Sequence, residues 1–222
     1  MSAAGALAII AAAACATTTQ RSPAGNTRPA PAAVDQTTSS PAAQTEADSG
    51  RRDYTAADAH FVSGMILHHA QAVLIAGWAP THDASESVRV LCERIVVGQR
   101  DEIAAFQRWL RDRGEPAPSG DPGDQTMPGM DHPMLMPGML TPDQLAQLDG
   151  ASGPEFDKLF LTLMIQHHQG AITMVNQLFS AQGAAQNGPV FRFAADINAD
   201  QITEIDRMNK MLEVLNSGGD RP

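Results

Sequence analysis

Apolar residues recur at helical spacing along four long stretches of the chain, and no stretch alternates in the manner of a strand. The first begins where Thr55-Ala56-Ala57-Asp58 supplies a cap and an acidic first-turn residue. It runs to about Trp78, stopped by Pro80, with Phe61, Met65, Ala72 and Ala76 on its apolar face. Ser85 caps a second helix that reaches about Arg113 and ends at Gly114. Its inward positions are Val88, Leu91, Ile95, Ile103, Phe106 and Leu110, with Cys92 among them as a small core side chain or a soft ligand. Thr141-Pro142-Asp143-Gln144 starts a short helix closed by Gly150. Pro154 then opens a third long helix to about Gln182, and Pro189 a fourth to about Asn216, with Gly218 and Gly219 behind it. His60 and His82 fall near helix ends, as solvated side chains.

The four helices are two copies of one pattern. Phe61, Met65, His68 and His69 return as Phe160, Met164, His167 and His168, 99 residues later. Gln99-x-x-Glu102-Ile103 on the second helix returns as Gln201-x-x-Glu204-Ile205 on the fourth, 102 residues later. A small difference in loop length absorbs the change of offset. The chain therefore predicts a duplicated helical hairpin, and two hairpins with one apolar face each pair most simply into an all-α four-helix bundle. The bundle spans 53–217: hairpin one over 55–113, a Pro/Gly- and Met-rich linker over 114–141, and hairpin two over 142–217.

Ahead of the bundle the pattern disappears. Residues 16–52 are rich in Thr, Ala, Pro, Ser and Gln and carry almost no large apolar side chains, so the segment reads as a disordered tether. Residues 1–15 contain a short run of Ala, Leu and Ile ending in Ala13-Ala14-Cys15. The run suits the apolar region of an export signal, and the small residues before Cys15 suit lipidation of that cysteine. Ala12 stands where an aliphatic residue is usual, and no Lys or Arg precedes the run. The expectation is an exported protein of the periplasm or cell envelope, anchored to the membrane if Cys15 is modified. A formal net charge of -10 with no basic stripe argues against nucleic-acid binding.

The repeated motif carries the chemistry. On a helix, residues three and four positions apart share a face, so each Met stands beside its two histidines. Thioether plus imidazole is a donor set for soft and borderline metals. Met65, His68, His69, Met164, His167 and His168 are the candidate ligands, and burying four imidazoles without partners would be costly. A site using the two methionines suits Cu(I) or Ag(I); four histidines alone suit Cu(II) or zinc equally well. Copper is the first choice and zinc the main competitor. Gln99, Glu102, Gln201 and Glu204 are placed to accept a spare histidine N–H, or else are plain surface charge and polarity. Di-iron chemistry fits poorly, because Met stands where a Glu-x-x-His unit would be needed. In the linker, Met127, Met130, His132, Met134, Met136 and Met139 form a candidate capture arm for Cu(I), or pack adaptably over the bundle. No nucleophile–base–acid set or phosphate-binding glycine loop is visible.

The combination of Phe, Met-x-x-His-His, Met-Pro-Gly-Met and Gln-x-x-Glu-Ile resembles the domain-of-unknown-function-305 family over about residues 55–215. Glu155 to Ile172 is especially similar to its signature, whereas Ala70-Gln71-Ala72-Val73 departs from it in the first repeat. The resemblance implies a ferritin-like four-helix bundle, export, and copper binding of the kind found in periplasmic copper-resistance proteins. Carried over by position, the implied metal residues are Met65, His68, His69, Met164, His167 and His168. The expected function is envelope metal binding, of copper or silver, for buffering, transfer or resistance. A metal-dependent ferritin-like oxidase and a metal-free structural or interaction module are the alternatives.

Overall fold

Helix-forming signals in the sequence are matched by five helices among the described residues, 53–121 and 135–218, of a computed structural model. They are α1 (Ala56–Ala76), α2 (Glu86–Arg111), α3 (Pro142–Asp149), α4 (Pro154–Ser180) and α5 (Gly188–Asn216). There is no strand among the described residues. The export signal, Cys15, the tether, and Met127, Met130, His132 and Met134 lie outside the described residues.

Local chemistry sets the helix starts. Thr55 and Asp58 form a reciprocal capping box at α1, and Thr141 and Gln144 do the same at α3. Asn187 accepts from the Val190 N–H to begin α5. Ser85 precedes α2 but makes no side-chain cap. Its backbone N–H donates instead to the buried carboxylate of Asp157, at 3.1 and 3.3 Å.

That contact is half of a reciprocal tie. Asp157, in the first turn of α4, holds the loop of the first hairpin; Asp58, in the first turn of α1, accepts the Ala185 N–H of the second hairpin's loop at 2.7 Å. The two aspartates are both fully buried and stand at the same 99-residue offset as the histidines. Each hairpin is thus locked to the loop of the other by a charge-assisted hydrogen bond.

α1 packs along α2 and α4 along α5, and the hairpins join through α1 against α4. No comparable packing joins α2 to α5. The apolar core falls into two clusters, one around Phe61, Ile66, Phe106 and Trp109, the other around Leu91, Ile95, Phe156 and Phe160. Each fully buried large side chain contributes about 1.5–3 kcal/mol.

α1 differs from the expectation of a single apolar face, because it is buried almost all round from Phe61 to Ala76. It is apolar and long enough to cross a bilayer, yet most of it is enclosed by the bundle. Beside α2 and α4, residues 136–140 complete the covering as a strap laid across α1 and α4. Gly138 turns at φ +76°, and the strap descends so close to α4 that a Cβ on Gly170 would lie 1.9 Å from the Pro137 carbonyl oxygen. On α1, the Gln71 amide bonds both backbone groups of Leu140, at 2.7 and 3.1 Å. Gln71 and Gly170 are the same position in the two repeats. The departure in the first repeat is therefore a division of labour: one copy grips the strap, the other makes room for it.

His82 is also not a solvated residue. Nδ1 meets the Trp78 carbonyl at 2.9 Å and Nε2 the Asp149 carbonyl at 3.0 Å, so it pins the α1–α2 loop to the end of α3.

Candidate metal centre

The two His-His pairs come together in the middle of the bundle. His68 and His167, one from each hairpin, face one another with ring centroids 3.9 Å apart. His69 and His168 stand outside this inner pair, 6.5 and 6.2 Å from His68 and His167 respectively. All four are fully buried.

Burial forces the inner pair to stay neutral. Desolvation, reinforced by His69, pushes the His68 imidazole down to about 3. Desolvation likewise holds His167 well below the ordinary histidine range, with His68 and His168 adding to it.

Hydrogen bonding then selects a nitrogen on two of the four rings. His168 Nε2–H donates to Glu204 at 2.6 Å, and His68 Nε2–H donates to the Pro137 carbonyl of the strap at 3.0 Å. Glu102 lies 2.9 Å from His69 Nε2. It sits off the line of the ring N–H, so the contact is electrostatic rather than a directed hydrogen bond. A neutral imidazole that donates through one nitrogen presents a bare lone pair on the other. The Nδ1 atoms of His68, His69, His167 and His168 are all buried, and none has a hydrogen-bond partner. His167 has no partner at either nitrogen.

Unpaired polar groups continue outward. Gln99 and Gln201 are 3 and 2% exposed, yet both amide atoms of Gln99 and Oε1 of Gln201 are unpartnered. They lie in the cleft left where α2 and α5 fail to close, about 250 Å³ in volume, with Glu102, Glu204, Arg94 and Asp200 around it. Partial burial, then Glu102 and Glu204, holds the Asp200 carboxyl above the usual carboxylate range. A larger hollow, about 450 Å³ along α5 from Thr203 to Val214, lies away from the histidines.

The remaining candidates scatter. Met65 is buried in the core cluster around Phe61, and Met164 in the one around Phe160. Met136 and Met139 belong to the strap and are buried, at 8 and 2% exposure. Cys92 is a free buried thiol, pushed up by desolvation. As they stand, no three His, Cys, Asp or Glu side chains are arranged to hold a metal ion among the described residues. Sequence reasoning missed the Pro137 carbonyl, a backbone group with no residue signature, and the Asp58–Asp157 ties, whose shared 99-residue offset was a usable signal.

The chain is similar in structure to a protein from Streptomyces coelicolor described as secreted and as DUF305. The two are 29% identical, over 72% of this chain and 94% of that one, with a TM-score of 0.60. A DUF305 fragment from Deinococcus radiodurans is 28% identical over 73% of this chain and 99% of its own, with a TM-score of 0.61. The Ag-bound form of CopM is 25% identical over 69% of this chain and 93% of that one, with a TM-score of 0.51. CopM in Cu(I)- and Cu(II)-bound forms aligns at 24% identity. Comparison with curated proteins gave no match. The family model described as "Domain of unknown function (DUF305)" matches residues 58–212, and the chain belongs to that family.

Proposed function

We propose that this is a cell-envelope protein that binds copper, or silver, at the histidine cluster, for buffering, transfer or resistance. The observation that carries the reading is the set of four buried Nδ1 atoms without partners. Metal-ligating histidines typically donate their other N–H to a carboxylate or a backbone carbonyl. Glu204 and Pro137 O accept in that way, and Glu102 stands close to His69. Neutral imidazoles are also the form that binds metal, without displacing a proton. His68, His69, His167 and His168 would hold the ion through Nδ1 after adjustment of their side chains, with Met65 and Met164 as soft ligands and Gln99 and Gln201 lining the approach. CopM, seen in Cu(I)-, Cu(II)- and Ag-bound forms, supports copper over zinc. Export rests on the apolar run before Cys15 and on the secreted S. coelicolor relative. Cys15 would carry the anchor, and Met127 to Met134 would serve as a capture arm.

A second reading rests on the same contacts. Those from Glu102, Glu204 and Pro137 could serve a metal-free core in which the histidines only join helices. Titration of the untagged protein with anaerobic Cu(I), and separately with Cu(II) and Zn(II), against competing chelators separates the two. Copper binding that collapses in the H68Q/H69Q/H167Q/H168Q variant while helicity persists supports the first. Copper binding no tighter than that of an unrelated acidic protein refutes it.

A further inference from the structure

A second cluster of soft donors lies away from the histidines, where the strap meets the start of α1 and the far half of α4. Gly64 leaves a notch in α1, and two thioether side chains end there. A Cβ added at Gly64 would sit 3.1 Å from Met136 Sδ and 3.4 Å from Met174 Cε. The notch opens into a cavity of about 270 Å³, lined also by His60, Gln177 and Leu178. His60 is exposed at its edge, while each methionine is 8% exposed.

We infer that Met136, Met174 and His60 form a separate binding site for a soft monovalent cation, Cu(I) or Ag(I). The bland alternative is that the methionines fill irregular space, as methionine commonly does. Two features speak against it. The thioether ends are not packed shut but border a cavity, and the one polar ring at that cavity is an imidazole. Thioethers in apolar surroundings bind d¹⁰ monovalent ions and offer little to Zn(II) or to hard cations. The glycine matters as well, since any larger residue at 64 would occupy the space between the two sulfur side chains. This site goes beyond the reading above, since none of its donors belongs to the histidine cluster.

The test uses the whole chain, untagged and labelled with methyl-¹³C methionine, titrated with silver nitrate in chloride-free buffer. Met136 and Met174 methyl signals are identified through M136L and M174L. Both signals should shift together with silver, should do so equally in the H68Q/H69Q/H167Q/H168Q variant, and should stay in place with Zn(II). Native mass spectrometry should show a silver ion lost from the M136L/M174L double variant, which conserves side-chain volume. Gly64→Ala keeps both thioethers but narrows the notch, and should weaken the silver-dependent shift about ten-fold or more. Methyl signals of Met136 and Met174 that ignore silver, or unchanged silver stoichiometry in the double variant, overturn the site. Loss of silver from the histidine variant alone would leave it standing, so the two sites fail independently.

Discussion

Gly170→Ala is the sharpest probe of how the strap closes the histidine cluster. Alanine is the better helix former, worth about 1 kcal/mol over glycine in mid-helix. Propensity alone therefore predicts a more stable protein. The structure predicts the reverse. The new Cβ would fall 1.9 Å from Pro137 O, 2.4 Å from Pro137 C and 2.5 Å from Gly138 Cα, all backbone atoms that cannot swing aside. The strap must lift by about 1 Å to restore ordinary contact. Four hydrogen bonds depend on its position: His68 to Pro137 O, Gln166 to Gly138 O, and both bonds between Gln71 and Leu140. At about 1 kcal/mol each they amount to about 4 kcal/mol, which leaves about 3 kcal/mol of net destabilisation after the helix gain. For a domain of this size that is a fall in Tm of about 6–12 °C by calorimetry. Gly98→Ala is the control, since nothing lies within 4 Å of its Cβ position and only the propensity gain remains. If the two variants melt together at or above the parent, the strap is not seated as described and the closure of the cluster fails with it.

Further outcomes follow from particular side chains. In the metal-free protein, His68 and His167 are neutral when folded but take up protons near pH 6.5 when unfolded. Stability should therefore be full above about pH 6.5 and decline as pH falls toward 3, at up to about 1.4 kcal/mol per pH unit for each ring; urea midpoints at pH 7.5 and 5 check this, and equal midpoints would refute it. Glu102→Gln with Glu204→Gln should weaken copper binding about 10–100-fold while leaving far-UV circular dichroism unchanged; unaltered affinity would remove the carboxylates from the site. Asp157→Ala should destabilise by about 1.5–3 kcal/mol through the orphaned Ser85 N–H, measured by chemical denaturation, and Asp58→Ala by a similar amount. Cys92 should resist iodoacetamide in the folded protein and react once unfolded, being 3% exposed with its thiol held protonated.

The repeat made the architecture legible, because a hairpin that exposes one apolar face and occurs twice has few ways to bury itself. It also made the four histidines legible as a repeated motif, whereas their meeting depends on the register between hairpins, which only the fold supplies. What the repeat concealed is where the copies differ. Met136-Pro137-Gly138-Met139 belongs to neither copy, and its glycine- and proline-rich composition reads as a linker rather than as a structural element. Only the fold reveals that Gly64 and Gly170 are shaped to receive it and that Gln71 binds it. The consequence reaches the chemistry. The strap occupies His68 Nε2 on one side of the inner pair and leaves His167 with both nitrogens unpartnered on the other. An exact twofold would give the two histidines one environment, and a metal no reason to prefer either. The strap breaks that equivalence by fixing one ring through a backbone carbonyl while no hydrogen bond holds the other. On the proposed metal reading, replacing His167 should therefore alter metal affinity while breaking no hydrogen bond of the fold, and replacing His68 should register in both affinity and stability.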